Sequence, residues 1–163
     1  MNLRERLMDY SLGNHLRLYW RLFRWRERTK NRLTADVLTF FLNRIALKRG
    51  GYIGRGAVIS GIPSLPHGLH GLYISRYASS GTGCRLYQNV TIGEVNGKAP
   101  QIGDGCLIGA NAVLVGDIRV GDGAKIGAGA AVSHDVPTGA TVVAQQPRVI
   151  ESEPIANTEI NFV

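Results

Sequence analysis

Several features that usually classify a chain are missing from this sequence. No apolar run approaches the roughly 20 residues that a membrane-spanning helix needs. The longest near the N-terminus, VLTFFLN at 37–43, is bounded by Asp36 and Arg44. No cationic start leads into an apolar run and a small-residue cleavage site, so no signal peptide is expected and a cytoplasmic protein is the default. Cysteine is nearly absent, with two in 163 residues, and there are only four histidines. Acidic residues are scarce in one region only. Residues 1–50 hold 12 Lys/Arg against 4 Asp/Glu, whereas 51–163 are close to neutral. The net charge of +7 therefore belongs to the first 50 residues.

Glycine is abundant instead, with 21 residues, but a hydrophobic share of 44% argues against a disordered glycine-rich polymer. From Ile102 an aliphatic residue recurs every six positions, at Ile102, Ile108, Leu114, Val120, Ile126 and Val132. Four places after each stands a small or apolar residue: Cys106, Ala112, Ile118, Ala124, Ala130, Val136. A period of six fits neither an amphipathic helix nor a simple alternating strand. A longer period of 18 appears when IGDGCLIGANAV (102–113) is laid over VGDGAKIGAGAA (120–131). Three hexads per 18-residue turn describe a three-sided prism of short stacked parallel strands.

Upstream the register runs through Ile53, Ile59 and Leu65, then Ile74, Ser80, Leu86 and Ile92. It is interrupted twice, once before Ile74 and once before Ile102. The extra residues are expected to bulge outward at prism corners, because a packed interior has no room for them. The first interruption carries His67 and His70 and the second is EVNGKAP (94–100). Loops on a stiff scaffold are where function concentrates. Cys84 and Cys106 occupy small inward positions and read as packing residues. Ser80 breaks the aliphatic rule.

The hexads, the histidine-bearing corner and the ending DVPTGATVVAQQPRVI (135–150) resemble the hexapeptide-repeat acyltransferases. The stretch from LYQNVTIG to AVSHDVP is most similar to the serine O-acetyltransferase branch, and closest to its short relatives of capsule and exopolysaccharide biosynthesis. That resemblance implies a mainly β chain folded as a left-handed parallel β-helix, an exception to right-handed crossovers. The resemblance covers about 50–150, which sets a β-helix domain at 51–150; the charge excess sets apart a basic helical segment at 1–50, and 151–163 are left as a C-terminal tail. The resemblance also implies acetyl-CoA as acyl donor, no metal, and a homotrimer with active sites between subunits.

By the same resemblance the catalytic base is His67, in Leu65-Pro66-His67, with His70 the alternative. Acetyl-CoA is expected against Gly93, Ala110 and Ala128, with Lys125 and Arg148 toward its phosphates. His70, Glu94 and Lys98 are the expected acceptor contacts. Four departures from the family pattern stand out. The family's acidic residue before the histidine is Pro66 here, and its Arg-His-Pro is Lys98-Ala99-Pro100. The aspartate one coil before the histidine is Tyr52, and the terminal signature reads AQQP (144–147). A site without its charged partners discriminates poorly for a charged substrate. The expectation is therefore a saccharide hydroxyl of a surface polysaccharide pathway, free, nucleotide-linked or lipid-linked. Serine O-acetylation for cysteine biosynthesis is the alternative enzyme, and a non-catalytic scaffold or membrane-docking module the alternative outside enzymes. A zinc site of the carbonic-anhydrase kind would need three converging histidines, and only His67 and His70 lie close; His15 and His134 read as incidental.

Two helices are expected in the basic segment, over 16–33 and 33–47. They are expected to cap the open end of the prism, since a solenoid needs its terminal coil covered. Arginines interleaved with Trp, Phe and Leu also suit an anionic membrane surface. A basic helix admits nucleic acid too, but no reading motif is present.

Overall fold

A computed structural model describes residues 16–146. Its core is the inward column of the hexads. Ile102, Ile108, Leu114, Val120, Ile126 and Val132 are all buried, as are the small residues between them from Cys106 to Val136. Fully burying each large aliphatic contributes about 1.5–3 kcal/mol. The six-residue period therefore aligns one apolar side chain per face with its counterpart in the next coil.

Among the described residues thirteen short strands follow: β1 (Tyr52–Ile53), β2 (Val58–Ile59), β3 (Tyr73–Ile74), β4 (Ser79–Ser80), β5 (Arg85–Leu86), β6 (Thr91–Gly93), β7 (Gln101–Ile102), β8 (Leu107–Ile108), β9 (Val113–Val115), β10 (Arg119–Val120), β11 (Lys125–Ile126), β12 (Ala131–Val132) and β13 (Thr141–Val142). They form three parallel sheets. Sheet A runs β1-β3-β6-β9-β12, sheet B β2-β4-β7-β10, and sheet C β5-β8-β11-β13. Ser64 bridges Arg85 below sheet C, and Val136 bridges Val120 above sheet B. The result is a left-handed β-helix of about four turns. Within uninterrupted coils, partners are one 18-residue turn apart, as in Leu107 with Lys125.

The edges are pinned by side chains that reach one coil along. Asp104 accepts from the backbone N–H of Thr82 at 2.6 Å, and Asp122 from that of Asp104 at 2.8 Å. Cys84 and Cys106 are buried and unpaired, each with Sγ 3.2 Å from a carbonyl of the next coil. Burial pushes both thiols up from their ordinary pKa, which disfavours thiolate chemistry. Ser80 is buried in the aliphatic column with its hydroxyl unpartnered.

The basic segment forms α1 (Arg17–Arg28) and α2 (Arg32–Leu47), parted at Asn31, whose side chain accepts from the Thr34 N–H at 3.2 Å. Tyr19, Trp20 and Phe23 of α1 and Leu42 and Ala46 of α2 join one apolar cluster with Ile53, Ala57 and Leu69 of the first coil. This is a cap on the prism's open end. Arg26 is buried by lying over the Phe23 ring, 4.4 Å from its centroid, and pairs with Glu27 at 3.0 Å. Arg55 of the first coil pairs with Asp36 of α2. Desolvation is the main cause that pushes the Tyr19 hydroxyl up to about 12.

Candidate active site

The histidine loop joins the end of the first coil to β3, so it leaves the edge between sheets C and A. It is a succession of turns over 66–71. It does not simply bulge outward, as the lack of interior room had suggested. Leu69 points inward and is completely buried, while His67 and His70 on either side are exposed. The helical cap makes the difference, because Leu69 joins the same apolar cluster as Tyr19, Trp20, Phe23, Leu42 and Ala46 of the cap, which a bare prism would lack. Backbone bonds close the loop: Gly68 N–H to Leu65 O at 3.0 Å, Leu72 N–H to Leu69 O at 3.2 Å, and Asn89 N–H to His70 O at 3.0 Å. Gly51 and Gly71 permit the fit. A Cβ on Gly51 would collide with the Leu69 carbonyl, and Gly71 has φ of 63° with Asn89 lying where its Cβ would be.

His67 has one aromatic neighbour, Tyr87, with ring centroids 6.1 Å apart. The Gln88 side-chain oxygen beside it in sequence is buried and unpartnered. Tyr87 and Gln88 belong to the LYQNVTIG stretch and were not singled out by sequence. The coil period could have found them, since Asn89 stacks on the histidine loop.

Glu94 and Lys98 sit at the other margin of sheet A, at its edge with sheet B. Glu94 follows β6 and accepts from the buried Ser75 hydroxyl at 2.6 Å. Ser75 in turn accepts from the Tyr77 N–H at 3.3 Å. Lys98 pairs with Asp117 at 2.5 Å, and that hydrogen bond is the first cause raising its pKa. Val95 and Lys98 exchange backbone bonds of 2.8 and 3.1 Å that close the EVNGKAP loop. With Val115, Gly116 and Ser133 it borders an open groove of about 470 Å³. Ser75 and Asp117 were also missed, although each lies 19 residues from its partner, close to one coil.

One chain thus brings the expected residues together in two groups rather than one. His67, His70, Ala110 and Ala128 share the C–A edge, where Ala110 accepts from the Gly129 N–H at 2.8 Å. Lys125 stands exposed on sheet C. Gly93, Glu94 and Lys98 share the A–B edge. Arg148, like His15, lies outside the described residues. Tyr52 stacks on Tyr73, with centroids 5.2 Å apart, so no carboxylate occupies that place. Among the described residues no group of three or more His, Cys, Asp or Glu is arranged to hold a metal.

Residues 99–134 match the model of the bacterial transferase hexapeptide (six repeats). A serine acetyltransferase of Staphylococcus xylosus is 30% identical over 88% of this chain and 64% of its own length. The chain therefore spans less than two thirds of the curated relatives it matches. The serine acetyltransferase of Brucella abortus superposes with a TM-score of 0.69 at 30% identity, over 88% of this chain and 59% of that one. That of Neisseria gonorrhoeae, in complex with serine, gives 0.67 at 34%, over 79% and 55%. Nothing among these relatives points to capsule or exopolysaccharide synthesis, the closer branch expected from sequence. Repeat, solenoid and relatives together make this chain similar to the hexapeptide-repeat transferases, with serine acetyltransferases as homologues.

Proposed function

We propose that this protein is an acetyl-CoA-dependent O-acetyltransferase working as a homotrimer, with His67 as general base and serine as the acceptor. The observation that carries this reading is the likeness, at 34% identity, to a serine acetyltransferase in complex with serine. The relatives favour serine over the saccharide hydroxyl expected from the sequence.

The split site supports a site between subunits. The two clusters occupy opposite margins of sheet A, so an A–B edge of one chain laid along the C–A edge of another would face Glu94 and Lys98 toward His67 and His70. In that cleft the unprotonated imidazole of His67 takes the acceptor hydroxyl proton as its oxygen attacks the thioester carbonyl. The tetrahedral intermediate collapses, the C–S bond breaks, and the imidazolium returns the proton to the departing thiolate. Histidine suits both steps because its ordinary pKa is near neutrality, and a positioned base contributes about 10²–10⁴-fold. The small Gly93, Ala110 and Ala128 leave backbone groups accessible to the pantetheine arm, and Lys125 and Arg148 provide charge for the CoA phosphates. His70 and Glu94 contact the acceptor.

A neutral saccharide hydroxyl is the second reading, favoured by one specific observation. Lys98 stands in place of the family's carboxylate-binding Arg-His pair and is already engaged by Asp117. Thiol release from acetyl-CoA over a panel of serine, free sugars, nucleotide sugars and lipid-linked sugars separates the readings. Turnover with serine alone supports the first and with a sugar alone the second. CoA binding without turnover on any acceptor contradicts both.

A further inference from the structure

We infer that α1 and α2 form a docking surface for anionic lipid bilayers, through a face distinct from the one that caps the prism. The aromatic residues that drew attention in the sequence, Tyr19, Trp20 and Phe23, are consumed by the cap. A second apolar face remains. Along α2, Leu33, Val37, Phe40, Phe41 and Leu47 are exposed by 74, 49, 61, 52 and 63%. At i, i+4, i+7, i+8 and i+14 they share the side of the helix opposite the buried Leu38, Leu42 and Ala46. Trp25 of α1, 56% exposed, continues that face across an open groove of about 400 Å³ between the helices. A contiguous apolar face of this kind marks an interaction site.

Charge decides the occupant. Residues 16–49 hold ten Lys/Arg and two Asp/Glu. Arg17, Arg21, Arg24 and Arg28 recur at i, i+4, i+7 and i+11, a cationic row alongside the apolar row of Leu18, Leu22 and Trp25. Pressing this face against a second copy would bring two strongly cationic segments into apolar contact. An anionic leaflet neutralises the row and takes up Trp, Phe and Leu at its interface. No described helix is long and apolar enough to cross a membrane, so the helices lie on the surface. The inference stands whichever acceptor the enzyme uses.

The test is flotation of the full chain with vesicles of phosphatidylcholine alone and with added phosphatidylglycerol. The protein should float only with the anionic vesicles and be released by high salt. Trp25 emission should shift to the blue on binding, while Trp20 is already buried. Phe40→Ser/Phe41→Ser should lower partitioning about tenfold or more with oligomeric state and melting unchanged. Arg17→Glu/Arg21→Glu should abolish the preference for anionic lipid. Absence of flotation with either vesicle overturns the inference, as does undiminished binding by the phenylalanine variant. Dissociation of the oligomer by that variant also overturns it, by assigning the face to a second copy.

Discussion

Replacing Leu69 by alanine probes how the histidine loop is held. Leu69 is fully buried between two exposed histidines, and its carbonyl lies where a Gly51 side chain would be. Three carbons are removed, worth about 2.4 kcal/mol at about 0.8 kcal/mol per buried methylene. A cavity term adds to that, because the glycine backbone below has no side chain to fill the gap. The expected loss is about 3–4 kcal/mol, within the 2–5 kcal/mol range for such substitutions. At about 2–4 °C per kcal/mol for a chain of this size, the melting temperature should fall by about 10 °C. Thermal and urea unfolding of wild type and variant at matched protein concentration provide the assay. Matching keeps any oligomer's contribution constant. Below the new midpoint, kcat should fall while acetyl-CoA affinity is kept, since Ala110, Ala128 and Lys125 lie in other coils. A loss under about 1 kcal/mol would refute the anchoring role and return the loop to a plain surface extrusion.

Three further outcomes follow from individual contacts. Tyr19 holds its proton to about 12 in the fold against 10.0 when exposed. Its contribution is therefore complete below pH 10 and is lost as pH rises through about 12, roughly 2–3 kcal/mol in all; Tyr19→Phe should flatten that decline in urea titrations across the window. Ser75→Ala removes the 2.6 Å bond that orients Glu94, so acceptor KM should rise about tenfold with acetyl-CoA KM unchanged and recovery in Ser75→Thr. Equal movement of both constants would make Ser75 merely structural. Ser80→Ala removes an unpartnered buried hydroxyl and should raise stability by about 1 kcal/mol in the same unfolding assay.

The solenoid was legible because it is a repeat. One aliphatic and one small residue per hexad specify which side chains point inward, and each coil tests the rule again. The two interruptions are legible for the same reason, and they mark His67, His70, Glu94 and Lys98 as loop residues. The fate of Leu69 was not, because the niche it fills is made by helices whose docking angle no periodicity encodes. Nor were the Ser75–Glu94 and Lys98–Asp117 pairs, which join residues about one coil apart at a corner where inserted residues shift the register. The helices illustrate the limit differently. Tyr19, Trp20 and Phe23 and the row from Leu33 to Leu47 look alike as apolar helical stripes, and only packing separates the stripe that caps the coil from the stripe left exposed. On the acceptor the two kinds of signal diverge: the missing charge handles point toward a sugar, and the overall likeness points toward serine.

The most direct test of the account is turnover of acetyl-CoA with serine by wild type, His67→Ala and His70→Ala, each with CoA binding measured alongside. The account predicts serine-dependent thiol release by wild type, a loss of about 10²–10⁴-fold in kcat for His67→Ala with CoA binding kept, and a smaller loss for His70→Ala expressed in serine KM. Wild-type rates from His67→Ala, or the larger kcat loss falling on His70→Ala, would contradict it.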